Sequence, residues 1–336
     1  MTVIDSHAHI SAPAGVFSYQ ARLIASGGYP GTKPPMISEQ AHRDAMAKHL
    51  ARIDADGTDL QLLSPRPFHS MHSFGPAKIV DAWTEFVNDQ IAAQAALQAG
   101  RFRGVAGLPQ FQDSSPARCL RELERCVTEL GFVGALVDPD PLEGKGDVPG
   151  LGDEFWYPLY EKFVELDVPL YVHSAGCARA REPYQVHFIN EETTATIHLL
   201  DSDVFARFPT LKVVISHGGG AVPYHAGRFR SLRLNNGGED FDVALRRLWY
   251  DTCLWSPEAF ELLVKVVGPG RILFGTETPG TGSGFDPKTG RHLDNMYPYI
   301  AQSPLLSEQE RTAILSGNAR KLFKLDVPAE LAGAGS

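Results

Sequence analysis

The chain has 336 residues, 43% hydrophobic and 21% charged, with 31 Lys+Arg against 40 Asp+Glu and a formal net charge of -9. That acidic balance argues against a nucleic-acid or anionic-membrane partner, and no apolar run approaches the length of a membrane span. Asp5, His7 and His9 interrupt any secretory h-region, and Cys119, Cys126, Cys177 and Cys253 form no CxxC pair or dense framework, so reduced thiols in a cytoplasm are expected.

The first β-rich run is Thr2 to Asp5, and it leads into Ser6-His7-Ala8-His9. In a strand, residues i and i+2 point to one side, so two imidazoles at its end are arranged to share a metal ion. Ser11 to about Pro35 is rich in Gly, Pro and small residues and reads as part of a loop insertion over about 11–50, near the active-site mouth. Further runs follow at Leu60 to Ser64, Gly104 to Pro109, Phe132 to Asp138, Pro169 to Ser174, Lys212 to His217, Leu248 to Thr252 and Arg271 to Gly275. Most are near-continuously apolar, as parallel strands buried on both faces are. Between them, Ile79, Ala82, Trp83, Phe86, Val87 and Ile91 step by three and four, and Leu120 to Leu130 and Phe155 to Leu166 behave alike. Asp138 to Gly152 reads as another Gly/Pro-rich loop.

This alternation predicts an α/β fold, a (β/α)8 TIM-type barrel over residues 1–328, with 329–336 as a flexible tail. The alternative is an open doubly wound sheet, which the lack of Gly-x-Gly-x-x-Gly after the first run weakens for dinucleotide binding.

In such a barrel the chemistry sits at the C-terminal strand ends. Those ends carry His7 and His9, Ser64 and Arg66, Asp138, His173, His217, Asp251 and Thr252, and Glu277. Imidazole nitrogen and carboxylate oxygen suit a borderline divalent metal, zinc before manganese. His7, His9, His173 and Glu277 are the predicted ligands of one ion, with a position left for water or substrate. Cys177, four residues after His173, is a candidate reactive thiol. Arg66, at a strand end, is the leading candidate cation at the pocket, followed by Arg228, Arg181 and Arg179. Ser64, Tyr184 and Asn190 are candidate neutral hydrogen-bonders, and His187 and His225 sit on post-strand segments that could line the pocket.

His7-x-His9, His173, His217 and the acidic end of the eighth run resemble the amidohydrolase superfamily. Ile215-Ser-His217-Gly-Gly-Gly-Ala-Val-Pro-Tyr-His225-Ala-Gly-Arg228 and Ser316-Gly-Asn318-Ala-Arg320-Lys-Leu-Phe323 are similar to the branch that holds aminocarboxymuconate-semialdehyde decarboxylase. Decarboxylases of that branch usually end the eighth strand with Asp. Here Gly275-Thr-Glu277-Thr-Pro-Gly280, Gly284-Phe-Asp286-Pro-Lys-Thr-Gly290 and Leu63-Ser64-Pro65-Arg66-Pro67 resemble the 4-oxalomesaconate hydratases instead.

The resemblance covers essentially the whole chain. It implies a metal-dependent hydro-lyase that adds water to the C=C of a small unsaturated oxo-polycarboxylate, in aromatic-compound catabolism. The resemblance then implies that Glu277 activates water, His217 serves as general acid/base, Cys177 delivers or removes a proton at carbon, Arg66 and then Arg228, Arg181 or Arg179 bind substrate carboxylates, and the enzyme works as a homo-oligomer, dimer or larger. A non-oxidative decarboxylase of a muconate-like or aromatic acid is the runner-up, and a lactone or amide hydrolase follows. The fourth run ends in Asp138 with no Lys, so a two-metal site is not expected. A non-catalytic binding protein is disfavoured by the filled ligand set.

Overall fold

The computed structural model describes residues 2–67, 70–280 and 283–326. Its elements run β1 (Ile4–His9), α1 (Ala14–Ala25), α2 (Glu39–Asp56), β2 (Leu60–Ser64), α3 (Ala77–Leu97), β3 (Phe102–Gly104), α4 (Leu120–Thr128), β4 (Ala135–Val137), α5 (Tyr157–Leu166), β5 (Leu170–Val172), α6 (Tyr184–Leu200), α7 (Val204–Arg207), β6 (Val213–Ile215), α8 (Ala226–Asn236), α9 (Phe241–Leu245), β7 (Trp249–Asp251), α10 (Pro257–Val267) and β8 (Ile272–Leu273). Strands β1 to β3 pair in parallel, as do β4 to β8. The two arcs are stitched by a parallel bridge between Ala106 and Ala135, and by Ser6 N–H donating to the Phe274 carbonyl at 2.8 Å. The barrel predicted from the alternation is therefore closed.

Strand periodicity explains how the barrel is filled and where it becomes polar. Ile4, Leu62, Val105, Leu136, Tyr171, Val214, Trp249 and Leu273 form one buried cluster inside the barrel, with Leu322, at the end of the helix Asn318–Leu322, and the adjoining Phe323 stoppering its base. Side chains two residues further along a strand face the same interior. That step carries Leu136 to Asp138, Tyr171 to His173 and Trp249 to Asp251, all buried at the opposite end. A larger apolar layer, including Trp83, Trp156, Phe163 and Phe260, packs the helices onto the outside of the strands.

The stretch read as a loop insertion over about 11–50 instead holds α1 and most of α2. Val16, Tyr19 and Leu23 bury one stripe of α1, and His42, Met46, His49 and Ile53 bury one stripe of α2. The stripes keep helical spacing, but two of the buried positions in α2 are histidines, and this masks the apolar signal. Ser38 caps α2 by accepting from the Ala41 N–H. The first strand extends past Asp5 to His9, with a register irregularity between Asp5 and Ala8. The predicted tail, 329–336, lies outside the described residues.

Candidate metal centre and active site

Each histidine of the predicted quartet is held by its Nδ1. His7 Nδ1 lies 2.7 Å from Asp251 Oδ2, and His9 Nδ1 lies 2.9 Å from Ser64 Oγ. His173 Nδ1 lies 2.7 Å from the Ser174 carbonyl. A carbonyl and a carboxylate only accept, and Ser64 donates its own proton to the Ala8 carbonyl at 3.0 Å. All three rings therefore carry their proton on Nδ1 and present the Nε2 lone pair. Those Nε2 atoms are buried without a hydrogen-bond partner among the described residues. Ring centroids lie 5.2 Å apart for His7 and His9, 4.8 Å for His7 and His173, and 5.5 Å for His9 and His173.

Unpaired buried polar atoms are costly. Three of them converging with a carboxylate make a coordination set suited to a cation. Ligand atoms of His7, His9, His173 and Glu277 all lie within 4.8 Å of one another, so the residues present fit a divalent ion. Burial depresses the His9 pKa to about 4 despite the pull of Glu277, and it holds His173 well below its ordinary range. Both rings are thus neutral, as a ligand must be.

Glu277 joins this set to His217. Its Oε1 lies 3.9 Å from His9 Nε2 and its Oε2 lies 3.6 Å from His217 Nε2. Burial opposes its charge, but His217 and His9 outweigh that and hold the carboxyl well below its usual range. On the other side of the ring, His217 Nδ1 sits 2.9 Å and 2.8 Å from the two oxygens of Glu192 on α6. Burial disfavours the imidazolium, yet Glu192 and Glu277 raise His217 well above its ordinary value. Both Glu277 and His217 have left-handed backbones, with φ of 65° and 49°, a strained state that clusters at functional sites. After His217 the glycines continue with φ of 63°, 85° and 62°, and this turns the loop tightly against α6.

A cavity of about 260 Å³ opens beside His217 and Glu277, walled by Tyr184, Phe188, Leu254 and Trp255. Trp255 Nε1 is buried there without a partner among the described residues. Arg66 is not among the residues that wall this cavity, but it is half-buried within electrostatic reach of two that are, Glu277 and Tyr184. Its Nε donates to the Ile10 carbonyl at 3.3 Å, and it makes no ion pair among the described residues.

The amidohydrolase family matches residues 4–325. The chain belongs to that family. This amidohydrolase is 37% identical over 340 residues to a 2-keto-4-carboxy-3-hexenedioate hydratase of Sphingobium sp., spanning 99% of both chains. The 4-oxalomesaconate hydratase of Rhodopseudomonas palustris superposes with a TM-score of 0.87 at 34% identity, over 96% of each chain. A dihydroxybenzoic acid decarboxylase from Polaromonas sp. JS666, solved with bound manganese and 2-nitroresorcinol, shares the fold with a TM-score of 0.71. It is 24% identical, and the match spans 98% of this chain and 99% of that one.

Several predicted contacts fall elsewhere. Ser64, expected to touch substrate, spends its hydroxyl on His9 and the Ala8 carbonyl. Arg181, Arg228 and His225 are exposed and do not line the cavity. His225 immediately precedes α8 and stacks edge-on against Tyr224, which points it outward. Cys177 sits on the loop after β5 with Sγ 4.0 Å from the Glu182 carbonyl, outside the cavity lining. Asn190 bonds Glu182 at 2.6 Å.

Two positioning groups escaped the sequence reading. Asp251 was visible only as a polar strand end, and Glu192 gave no signal, since an acid within a helix is ordinary. Both became evident only through their partners, His7 and His217.

Proposed function

We propose that this amidohydrolase is a metal-dependent hydratase that adds water to the C=C of 4-oxalomesaconate, giving 4-carboxy-4-hydroxy-2-oxoadipate. The observation that carries the reading is Glu277, which stands between the three open Nε2 atoms and His217. The similarity to hydratases along essentially the whole chain supports it. Three imidazoles and a carboxylate suit zinc first and manganese second. A divalent ion held by His7, His9, His173 and Glu277 would supply Lewis acidity and lower the pKa of a coordinated water.

The residues then divide the proton work. Glu277, ionised in this setting, takes a proton from the water that adds to one alkene carbon. His217, kept cationic by Glu192, gives a proton to the neighbouring carbon. The 3.6 Å separation of Glu277 Oε2 and His217 Nε2 lets the proton gained by one return to the other, so the net change is addition of one water. His217 lines the cavity and Cys177 does not, which favours His217 as the carbon-proton donor. Arg66 offers its fork to a substrate carboxylate. Tyr184 and the free Trp255 N–H offer neutral donors.

The test is to incubate metal-replete protein with 4-oxalomesaconate and follow its conjugated absorbance alongside carbon dioxide release. Loss of absorbance without carbon dioxide is expected. Carbon dioxide release, or no reaction, overturns the reading and moves the assignment to decarboxylation of an aromatic or muconate-like acid.

A further inference from the structure

A second group of ligand-type side chains lies apart from the quartet. Asp140, on the loop after β4, and His187 and Glu191, one turn apart on α6, bring one ligand atom each within 4.8 Å of one another. His187 is fully buried, at 0% exposure. Its Nδ1 faces Glu182 Oε2 at 3.4 Å, which leaves Nε2 to offer, and Nε2 has no partner among the described residues. Asp140 is 6% exposed; its Oδ2 accepts from the Gly144 N–H at 2.7 Å, while its Oδ1 is also buried and unpartnered.

Among the described residues neither Asp140 nor Glu191 has a Lys or Arg within ion-pair distance. Arg179 is the nearby cation, but its Nε donates to the Gly144 carbonyl at 3.2 Å and its Nη1 lies 3.8 Å from Glu182. A separate cavity of about 250 Å³ reaches Asp140 and Glu191 and includes no member of the quartet.

The geometry points to a second divalent-cation site formed by Asp140, His187 and Glu191. Two carboxylates balance a doubly charged ion, the imidazole adds a nitrogen ligand, and water can complete the coordination. The mixed nitrogen and oxygen set selects manganese or zinc over calcium or magnesium, which prefer oxygen alone. Without a cation the site is electrostatically unfavourable: burial and the neighbouring Asp140 and Asp138 push Glu191 up to about 7, and burial with Asp138 raises Asp140. An ion there ties the β4 loop to α6, the helix that also carries Glu192 and the cavity residues Tyr184 and Phe188. It acts as a brace for the substrate wall and for the His217–Glu192 pair.

The experiment counts Mn2+ bound per full-length chain, from the loss of the free-ion electron paramagnetic resonance signal during titration of metal-stripped protein. Wild type is expected to bind two ions. Asp140→Asn and His9→Asn should each bind one, and the double variant none, with circular dichroism reporting that each is folded. Glu191→Gln, at a less buried position, carries the same expectation as Asp140→Asn should that variant fail to fold. An Asp140→Asn or Glu191→Gln protein that binds as many ions as wild type overturns the second site, as does a wild type that binds only the ion His9→Asn removes. The count is independent of the hydratase reading, since it holds whatever the substrate.

Discussion

Asp251→Asn tests whether the quartet is set by its supporting hydrogen bonds. Asp251 is fully buried and accepts four of them: His7 Nδ1 at 2.7 Å and Tyr171 OH at 2.8 Å on Oδ2, and the Gly218 and Cys253 N–H groups at 3.3 Å and 3.1 Å on Oδ1. An asparagine keeps one acceptor oxygen. If that oxygen stays with the two backbone donors, the new NH2 confronts His7 Nδ1–H. His7 then keeps its hydrogen bond to residue 251 only by moving its proton to Nε2, where it blocks the lone pair offered to metal; Cys253 Sγ, 3.3 Å from Nδ1, is the weaker alternative partner. If the amide turns over, two buried backbone donors lose their acceptor instead, at about 1–3 kcal/mol each. The first arrangement breaks fewer bonds, so the expected loss falls on metal affinity, about 10–100-fold or roughly 1.4–2.7 kcal/mol. Competition for Zn2+ against a chromophoric chelator measures it on metal-stripped protein shown by circular dichroism to be folded. A dissociation constant within twofold of wild type would refute the reasoning, because His7 would then be positioned without its carboxylate.

Four further outcomes follow from the same geometry. His217→Asn should lower kcat by about 10²–10⁴ while metal content per chain stays at the wild-type value; full turnover would remove His217 from the proton path. Cys177→Ser should keep kcat within a few-fold of wild type, and a loss beyond about a hundredfold, on the scale of a missing acid/base group, would hand it the carbon proton. Gly275→Ala would bring a Cβ to 3.0 Å from His7 Cβ, 3.1 Å from Asp251 Cβ and 3.2 Å from Cys253 Sγ. That crowding should cost about 1–3 kcal/mol and loosen metal binding, read by thermal melts and the same chelator; an unchanged melt and affinity would show that the strand yields freely. His49, buried between Gln61 and Ser11, is depressed by burial to about 4 from 6.5. It therefore supports stability above pH 6.5, and this contribution, at most about 3 kcal/mol, is lost as pH falls from 6.5 towards 4, where only the unfolded chain gains the proton. Urea titrations across that range should show a shallower pH slope for His49→Gln than for wild type, and equal slopes would contradict the assignment.

The barrel was legible because its strands are short apolar runs whose next inward residue is polar, as in Tyr171 and His173 or Trp249 and Asp251. His173 was readable for that reason, His7 and His9 as alternate residues at the end of the first run, and Glu277 as the acid that follows the eighth. What escaped depends on contacts between distant residues. The His7–Asp251 pair spans 244 positions and no local pattern announces it. Ser64 has the right place but the wrong duty in the sequence reading, since only the fold shows His9 against it. Arg181, Arg228 and His225 follow strand ends closely in sequence, yet the turns that follow β5 and β6 carry them to the surface. Helix α1 was hidden because its flanking glycines and prolines dominate a stretch whose buried stripe is three side chains long.

The hydrogen bonds from β1 to the last strand have a consequence for how the protein is made. Ser6 meets Phe274 across 268 positions, and the Glu277 N–H donates to the His7 carbonyl at 2.7 Å. During synthesis His7 and His9 emerge about 270 residues before Glu277. Contacts of that span are closed late, after the loop entropy of everything between them has been overcome. A metal ion therefore cannot gather all four candidate ligands until the chain has been made through residue 277. Ribosome-bound chains that stop before Glu277 should hold metal no better than the unfolded polypeptide.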